Sequence, residues 1–578
     1  MFTKDKRPQR ADQPKSSLKN RFVAVNQDKL RRLRDNLTTR QRDLVDVLPL
    51  LFQTNQRRLP GYVSKDTPVG ICDYVPTRQA LQAAQRLALQ YREEQPAQKL
   101  PAIKGLYLMG SPGTVGYSKT SDLDIWLVHD PALEDTDIST LKAKARKIET
   151  HASNIGLEMH FFVFDAVRFR SGETLSLSGE SSGSSQHYLL LDEFYRSGLV
   201  LAGLKPLWWC VPASEEHRYG QYTQEALETN QLVEQDYVDF GGLANIPADE
   251  FLGATVWHLY KSIDSPYKSV LKLLLVETYA SDYPAGQLLS HRYKKAIAEG
   301  EVSLTDLDPY ILMYRRVEEY LQGKGDSARL DLIRRSFYIK TNVQLSKAKE
   351  SRVPDWQRET LSEMALSWDW NKADIHHLDN RRDWKIPFAL KERRILIKAL
   401  QKSYTALSDF ARSHGQDQKI TEADLNVLGR KLYAAFEKKP SKIDIITRGI
   451  CPNPTEDNLS LHCITEPSGR QRWSLYSGSV TPTEAKKTKP LLRARALAEL
   501  LAWCHFNHLV DNNTHWRIYD QKQRLSIIDL RKAIDTINGV YPGGEIKAAR
   551  SAALGTTPRP LAALLLINIG VDPLAGKV

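Results

Sequence analysis

Cysteine is scarce in this chain. Its 578 residues carry five, Cys72, Cys210, Cys451, Cys463 and Cys504, which are scattered, odd in number and far from metal-ligand spacing. That excludes a disulfide framework and fits reduced, buried thiols. His376-His377 and the run Cys504-His505-Phe506-Asn507-His508 have no partners at zinc spacing, so they read as surface or core histidines. Long apolar runs are missing too. The longest uncharged one, Pro560 to Val571, is too short to span a bilayer. The N-terminal MFTKDKRPQRADQPKSS is polar and basic, without the apolar centre of a signal peptide. The expected location is therefore the cytoplasm. No P-loop is present, because Tyr117 rather than a Lys-Ser/Thr pair follows Gly116, and the spacing of Gly110, Gly113 and Gly116 is not the dinucleotide fingerprint.

What is present is an ordinary globular composition, with 41% hydrophobic and 26% charged residues, and a length that implies three to four domains. The net charge of +12 suggests a polyanionic partner. The excess is spread thinly, with local clusters at the N-terminus, Lys438-Lys439 and Lys486-Lys487 that read as solvated faces or tails. No motif of a nucleic-acid-binding fold accompanies it, so nucleic acid is not expected and a triphosphate is a sufficient partner.

The chemistry concentrates in Leu106 to Asp130, LYLMGSPGTVGYSKTSDLDIWLVHD. In Asp122-Leu123-Asp124-Ile125-Trp126 the period of a strand sends both carboxylates to one face and Leu123 and Ile125 to the other. Magnesium is commonly held by one or two carboxylates plus substrate phosphates, so such a strand suits metal-bound nucleotide. Gly110-Ser111 follows the apolar run Leu106 to Met109, itself a strand candidate. A turn there lets phosphate approach backbone N–H groups, with the Ser111 hydroxyl as a further donor. The next strand candidate, Gly156 to Asp165, offers a third acid, Glu158, with Asp165 as the alternate. Asp137 to Asn154 between them reads as an amphipathic helix. An isolated Asp-x-Asp is more often a solvated pair. The Gly-Ser turn, the spacing and the third acid together favour a metal-and-triphosphate site.

These residues resemble the pattern of the DNA polymerase β nucleotidyltransferase superfamily: a glycine turn after a hydrophobic residue, two acids flanking a hydrophobic one, then a later acid between hydrophobic neighbours. A closer resemblance runs through SDLDIW, SSQHYLLLDEFYR (Ser184 to Arg196), DEFLGATVWHLYKSIDSPYKSVLKLLLVETY (Asp249 to Tyr279) and RKLYAAFE (Arg430 to Glu437). From about residue 30 onward the chain resembles the class I adenylate cyclases of gamma-proteobacteria. The resemblance implies conversion of ATP to 3′,5′-cyclic AMP and pyrophosphate by in-line attack of the ribose 3′-hydroxyl on the α-phosphate. Two magnesium ions, for which manganese may substitute, would sit on Asp122 and Asp124, with Glu158 as ligand or base. It also implies that a helical domain supplies triphosphate contacts, for which Lys261, Ser262 and Lys268 are the candidates beside Gly110 and Ser111. Ser265-Pro266 is equally a good helix start, and Lys268 then an ordinary surface residue. The rival activity is a template-independent nucleotidyltransferase acting on an external acceptor; a non-catalytic nucleotide sensor is disfavoured because all three acids are present. Longer members carry a further C-terminal region tied to regulation by the sugar phosphotransferase system. The chain ends at Val578 without it, so that regulation is not carried over and regulatory protein partners stay unassigned.

The expected fold class is α+β: a mixed-sheet nucleotidyltransferase core with large helical domains and a C-terminal mixed α/β module. A disordered basic tail (1–20) precedes a helical region (21–98), the catalytic core (99–212), a helical domain contributing to nucleotide binding (213–440) and the C-terminal module (441–578). Within these, Asp28 to Gln53, Thr77 to Glu94 and Gln186 to Gly203 read as helices. Ser171 to Ser185, rich in Gly and Ser, reads as a mobile loop beside the site. In the last module Ser441 to Ile450, Gln471 to Tyr476, His515 to Tyr519 and Leu525 to Leu530 read as strands around a helix Leu491 to Leu509.

Overall fold

The computed structural model describes residues 17–88, 100–172, 186–300, 303–348, 353–414, 442–465, 471–520 and 524–544, with isolated positions besides. The basic stretch to residue 16, most of the Ser171 to Ser185 loop and most of the Arg430 to Glu437 block lie outside these residues.

Three helices come first, α1 (Leu18–Asp35), α2 (Thr39–Gln53) and α3 (Arg78–Leu87). Ser17, Thr38 and Thr77 cap them, each side-chain oxygen accepting from a backbone N–H of the first turn. The tail expected over 1–20 is thus overlapped by a capped helix from Leu18, whose Phe22, Val25 and Leu33 are buried. Next come β1 (Ile103–Met109), β2 (Leu123–His129), α4 (Asp135–Asn154), β3 (Met159–Phe164), α5 (Ala166–Arg170), α6 (His187–Ser197) and β4 (Leu199–Gly203). They form a mixed sheet in the order β3-β2-β1-β4, with β2 and β3 parallel and the other pairs antiparallel. α4 is the crossover that a parallel pair requires.

A two-stranded ribbon, β5 (Lys205–Pro206) and β6 (Tyr237–Val238), frames α7 (Tyr219–Glu228). A helical layer follows: α8 (Ala248–Lys261), α9 (Pro266–Asp282), α10 (Leu289–Glu299), α11 (Pro309–Gly323), α12 (Ser327–Thr341), α13 (Asp355–Ser367), α14 (Lys372–Asp379) and α15 (Ile386–His414). The last module contains β7 (Asn458–Thr465), β8 (Gln471–Ser477), α16 (Pro482–Ala485), β9 (Leu492–Ala494), α17 (Leu497–Phe506), β10 (His515–Asp520) and α18 (Ile527–Val540). Its sheet order is β10-β7-β8-β9, with β10 parallel to β7. The whole is mixed α+β, as expected.

Several elements differ from the sequence expectation. The helix read over Gln186 to Gly203 ends at Ser197, because Gly198 takes an extended ψ and Leu199–Gly203 pairs antiparallel with β1. Leu525 to Leu530 opens α18 instead of forming a strand; Ser526 and Asp529 make a reciprocal capping box. The helix read over Leu491 to Leu509 is divided, Leu492–Ala494 joining β8 before α17 begins. Ser441 to Ile450 forms no strand among its described residues, and β7 is a strand that the pattern did not announce.

Alternation along the first sheet gives it two apolar faces. Leu106, Leu108, Leu123, Ile125, Leu127 and Met159 pack with residues of α2, α3 and α4, while Tyr107, Met109, Trp126, Val128 and Phe164 pack with α6 and the helical layer. Trp126 stacks on Phe194 of α6 at 4.3 Å and 10°. Such a pair adds about 1 kcal/mol beyond burial. The sheet's position under α6, and through it under α8 and α9, is therefore fixed two residues from Asp124.

Candidate active site

Asp122 and Asp124 stand at the start of β2, on the face that turns toward the helical layer. Met109 of β1 is level with Asp124, and His160 of β3 lies opposite it in the parallel ladder. The Leu123 amide donates to the Glu158 carbonyl at 2.9 Å, which sets Glu158 beside Asp122. The backbone thus brings Asp122, Asp124 and Glu158 to one edge of the sheet. Their side chains differ. Both aspartates are partly buried, whereas the Glu158 side chain is 64% exposed and its Oε1 lies 3.1 Å from His160 Nε2. Asp165 is occupied elsewhere, accepting from Arg168 N at 2.9 Å as the cap of α5.

Burial raises the pKa of Asp122, but Lys268, its own backbone amide, Lys340 and His160 more than offset this and hold it below the usual value. Asp124 is pushed up to about 6, first by burial and then by the Asp122 carboxylate. Lys268 of α9 is pushed the other way: burial disfavours its charge, but Tyr310, Asp122, Asp124 and Glu193 outweigh that and raise it. A half-buried ammonium thus lies within electrostatic reach of a pair of carboxylates. This pair fits a divalent cation by its donor chemistry, two hard oxygen ligands whose mutual repulsion a cation relieves. Among the described residues no group of three His, Cys, Asp or Glu side chains converges as a ready-made cage. Water and substrate oxygens would complete the coordination, as is usual for magnesium.

Gly110 leaves β1 with φ +93°, a conformation that favours glycine, and a Cβ built there meets no atom within 4 Å. Its N–H donates to Ser197 Oγ at 3.1 Å. Ser111 is buried, and its carbonyl accepts the Thr114 hydroxyl at 2.7 Å. The loop beyond is a fixed part of the core. Asp308 accepts from Val115 N at 2.7 Å, Gln357 Nε2 donates at 2.8 Å to both Val115 O and Tyr117 O, and Lys340 Nζ donates at 2.8 Å to Gly116 O. The helical layer therefore clamps the loop joining the two site strands.

Of the lysines and serine expected from the helical domain, Lys268 is brought to the aspartates. Lys261 lies at the end of α8 with Nζ 4.9 Å from the Trp257 ring centroid, and the Ser262 hydroxyl donates to Leu259 O at 2.6 Å. Three charged groups not singled out from the sequence join the site. Lys272, one turn beyond Lys268, lowers the Asp124 pKa and is bound by both oxygens of Glu193, each at 2.9 Å. Lys340 acts on Asp122 and is itself lowered to about 7, by burial and then by Lys268. Their sequence signal is faint: Lys268 and Lys272 are the cations of an otherwise strongly apolar helix, four residues apart and hence on one face.

Comparison with known families and proteins gives a consistent picture. Residues 15–209 match the family model described as the adenylate cyclase NT domain, 246–447 that of the class-I adenylate cyclase second domain and 454–543 that of its third domain. The chain is 37% identical over 566 residues to the adenylate cyclase of Salmonella typhimurium (strain LT2), covering 97% of itself and 66% of that protein. It is 38% identical over 568 residues to that of Shigella flexneri, again at 97% and 66%, and 35% identical over 565 residues to that of Proteus mirabilis, at 96% and 65%. The chain thus spans just under two thirds of the length of these relatives. No solved structure matches it.

Proposed function

Because the chain belongs to the class-I adenylate cyclase family, whose three domain models match it in order, we propose that it converts ATP to 3′,5′-cyclic AMP and pyrophosphate. The observation that carries the reading is the meeting of Asp122 and Asp124 on β2 with Lys268 on α9, carboxylates for cations facing an ammonium for phosphate. On this reading the β3-β2-β1-β4 sheet is a polymerase β-like nucleotidyltransferase core, supported by the Gly-Ser turn and the two acids on adjacent strands.

Asp122 and Asp124 would hold the divalent cations, magnesium with manganese as substitute. When bound, these neutralise triphosphate charge and acidify the ribose 3′-hydroxyl. Lys268 binds a triphosphate oxygen and stays charged while doing so, because the carboxylates around it favour its ammonium form. The open space over Gly110 receives the phosphates, and the clamped loop keeps the distance between the turn and Asp122 constant. Glu158, exposed and beside His160, accepts the 3′-hydroxyl proton from the solvent side. To contact the outgoing pyrophosphate, Lys261 and Ser262 at the end of α8 would exchange their present partners, the Trp257 ring and Leu259 O, for phosphate oxygens. With the five unpaired thiols, an ATP substrate suits the cytoplasm. Among the described residues no helix is long and apolar enough to cross a membrane.

Incubating the purified chain with α-labelled ATP and magnesium or manganese tests the reading. Labelled cyclic AMP with equimolar pyrophosphate is expected. A nucleotidylated acceptor or an elongated product would transfer the site to the rival activity, and unchanged ATP would remove catalysis altogether.

A further inference from the structure

Lys272 has more than one anion within its reach. It acts electrostatically on Asp124, and it is held by both carboxylate oxygens of Glu193 at 2.9 Å. The Glu193 and Lys272 side chains are 16% and 23% exposed, so the pair is largely taken out of water. A pair buried to this degree adds little to stability, because desolvation offsets the attraction; apolar residues of similar volume would serve as well. Its position suggests another use. Glu193 precedes Phe194, which stacks on Trp126, and its carbonyl accepts the Ser197 hydroxyl whose oxygen receives the Gly110 N–H. Glu193 is thereby fixed to both β2 and the Gly110 turn.

We infer that Glu193 is a positioning residue that holds the Lys272 ammonium away from Asp124, keeping the carboxylate pair available to a divalent cation and leaving Lys272 poised for the triphosphate. The inference rests on the reading of Asp122 and Asp124 as the cation site. Without the Glu193 charge, the flexible Lys272 side chain would turn to Asp124, on which it already acts, and compete with the cation for it. Lys268 cannot take this part, because it already faces both aspartates from the same helix face. His258 adds no further competing cation: burial, and next Lys272, lower its pKa to about 3.

The test is manganese binding to the intact chain without nucleotide, read by electron paramagnetic resonance or calorimetry, in a double-mutant cycle. Glu193→Gln should weaken Mn²⁺ binding about tenfold, the scale on which outer partners of metal ligands act. Lys272→Met should bind Mn²⁺ at least as tightly as the parent, and Glu193→Gln/Lys272→Met should recover parent-like binding. Parent-like binding in Glu193→Gln, or a double variant as weak as Glu193→Gln alone, would overturn the inference. Glu193→Asp, which keeps the charge, should retain most of the affinity; a loss in it equal to that of Glu193→Gln would also overturn the inference. A parent chain that binds Mn²⁺ and obeys the cycle but forms no cyclic AMP defeats the proposed function and leaves this inference standing. A parent chain that binds no Mn²⁺ defeats the inference.

Discussion

Asp122 and Asp124 share a strand face that turns toward Lys268 of α9, whereas Glu158 meets solvent and His160, and this contrast sets an order of mutational effects. Asp122→Asn or Asp124→Asn removes a partly buried ligand charge with no substitute nearby and should lower cyclic AMP formation by at least about a hundredfold. Glu158→Gln removes a charge that water can partly replace and should cost less, about tenfold. Initial rates of the three purified variants, with thermal melting to verify folding, establish the order; a Glu158→Gln loss equal to that of Asp124→Asn would place Glu158 among the principal ligands. The aspartates were legible because a two-residue period fixes their common face without any tertiary information. Glu193, Lys272 and Lys340 were not, since each acquires its role from a helix that meets the sheet far away in sequence.

At the scale of elements, β1, β2, α4 and β3 could be read from alternation and amphipathic spacing. β4 could not, because Leu199-Val200-Leu201-Ala202 continues the apolar pattern of α6 and short apolar runs fit helix and strand alike. α18 was misread for the same reason, with its capping serine and aspartate as the overlooked signal. The α4 element carries a testable burden of its own. Lys144 is 1% exposed, its Nζ donating to Thr54 O at 3.0 Å and Asn55 Oδ1 at 2.9 Å, and burial lowers its pKa to about 7. The unfolded chain keeps this lysine protonated to about 10.5, so between about 7 and 10.5 it binds more protons than the folded one. The Lys144 contribution to stability therefore improves as pH rises through that window, and below about 7 the full penalty of a buried charge is present. Relative to the parent, Lys144→Met should gain stability at pH 6 and lose that advantage by pH 9, as melting temperatures at the two pH values would show. A pH-independent difference between the two proteins would mean that the lysine stays protonated in the fold as it does in the unfolded chain.

Across the whole molecule, the last module comes close to the catalytic machinery at Gly449. Gly449 lies against the turn between α8 and α9, where an added Cβ would come within 2.6 Å of Asp264 O and 3.0 Å of Pro266 Cδ. Both neighbours are constrained, one a backbone carbonyl and the other the ring at the first turn of α9, so the clash must be relieved by movement of the turn or of the module. Around it, Arg381 donates to Gly449 O at 3.1 Å, the Cys451 thiol to Trp384 O at 3.1 Å and Lys385 to Thr455 O at 2.9 Å, tying the module to the helical layer. Pro266 stands two residues before Lys268, so displacement of the turn reaches the ammonium that faces Asp122 and Asp124. Gly449→Ala should accordingly reduce turnover severalfold and weaken ATP binding, with little change in Mn²⁺ affinity, because the strand that carries the aspartates is untouched. Substituting an equally small residue away from the contact, as in Gly539→Ala in α18, where an added Cβ meets no atom within 4 Å and the backbone is helical, controls for the general cost of altering a glycine in this module. If Gly449→Ala kept parent turnover and ATP affinity, the module would be packed beside the site without mechanical access to it.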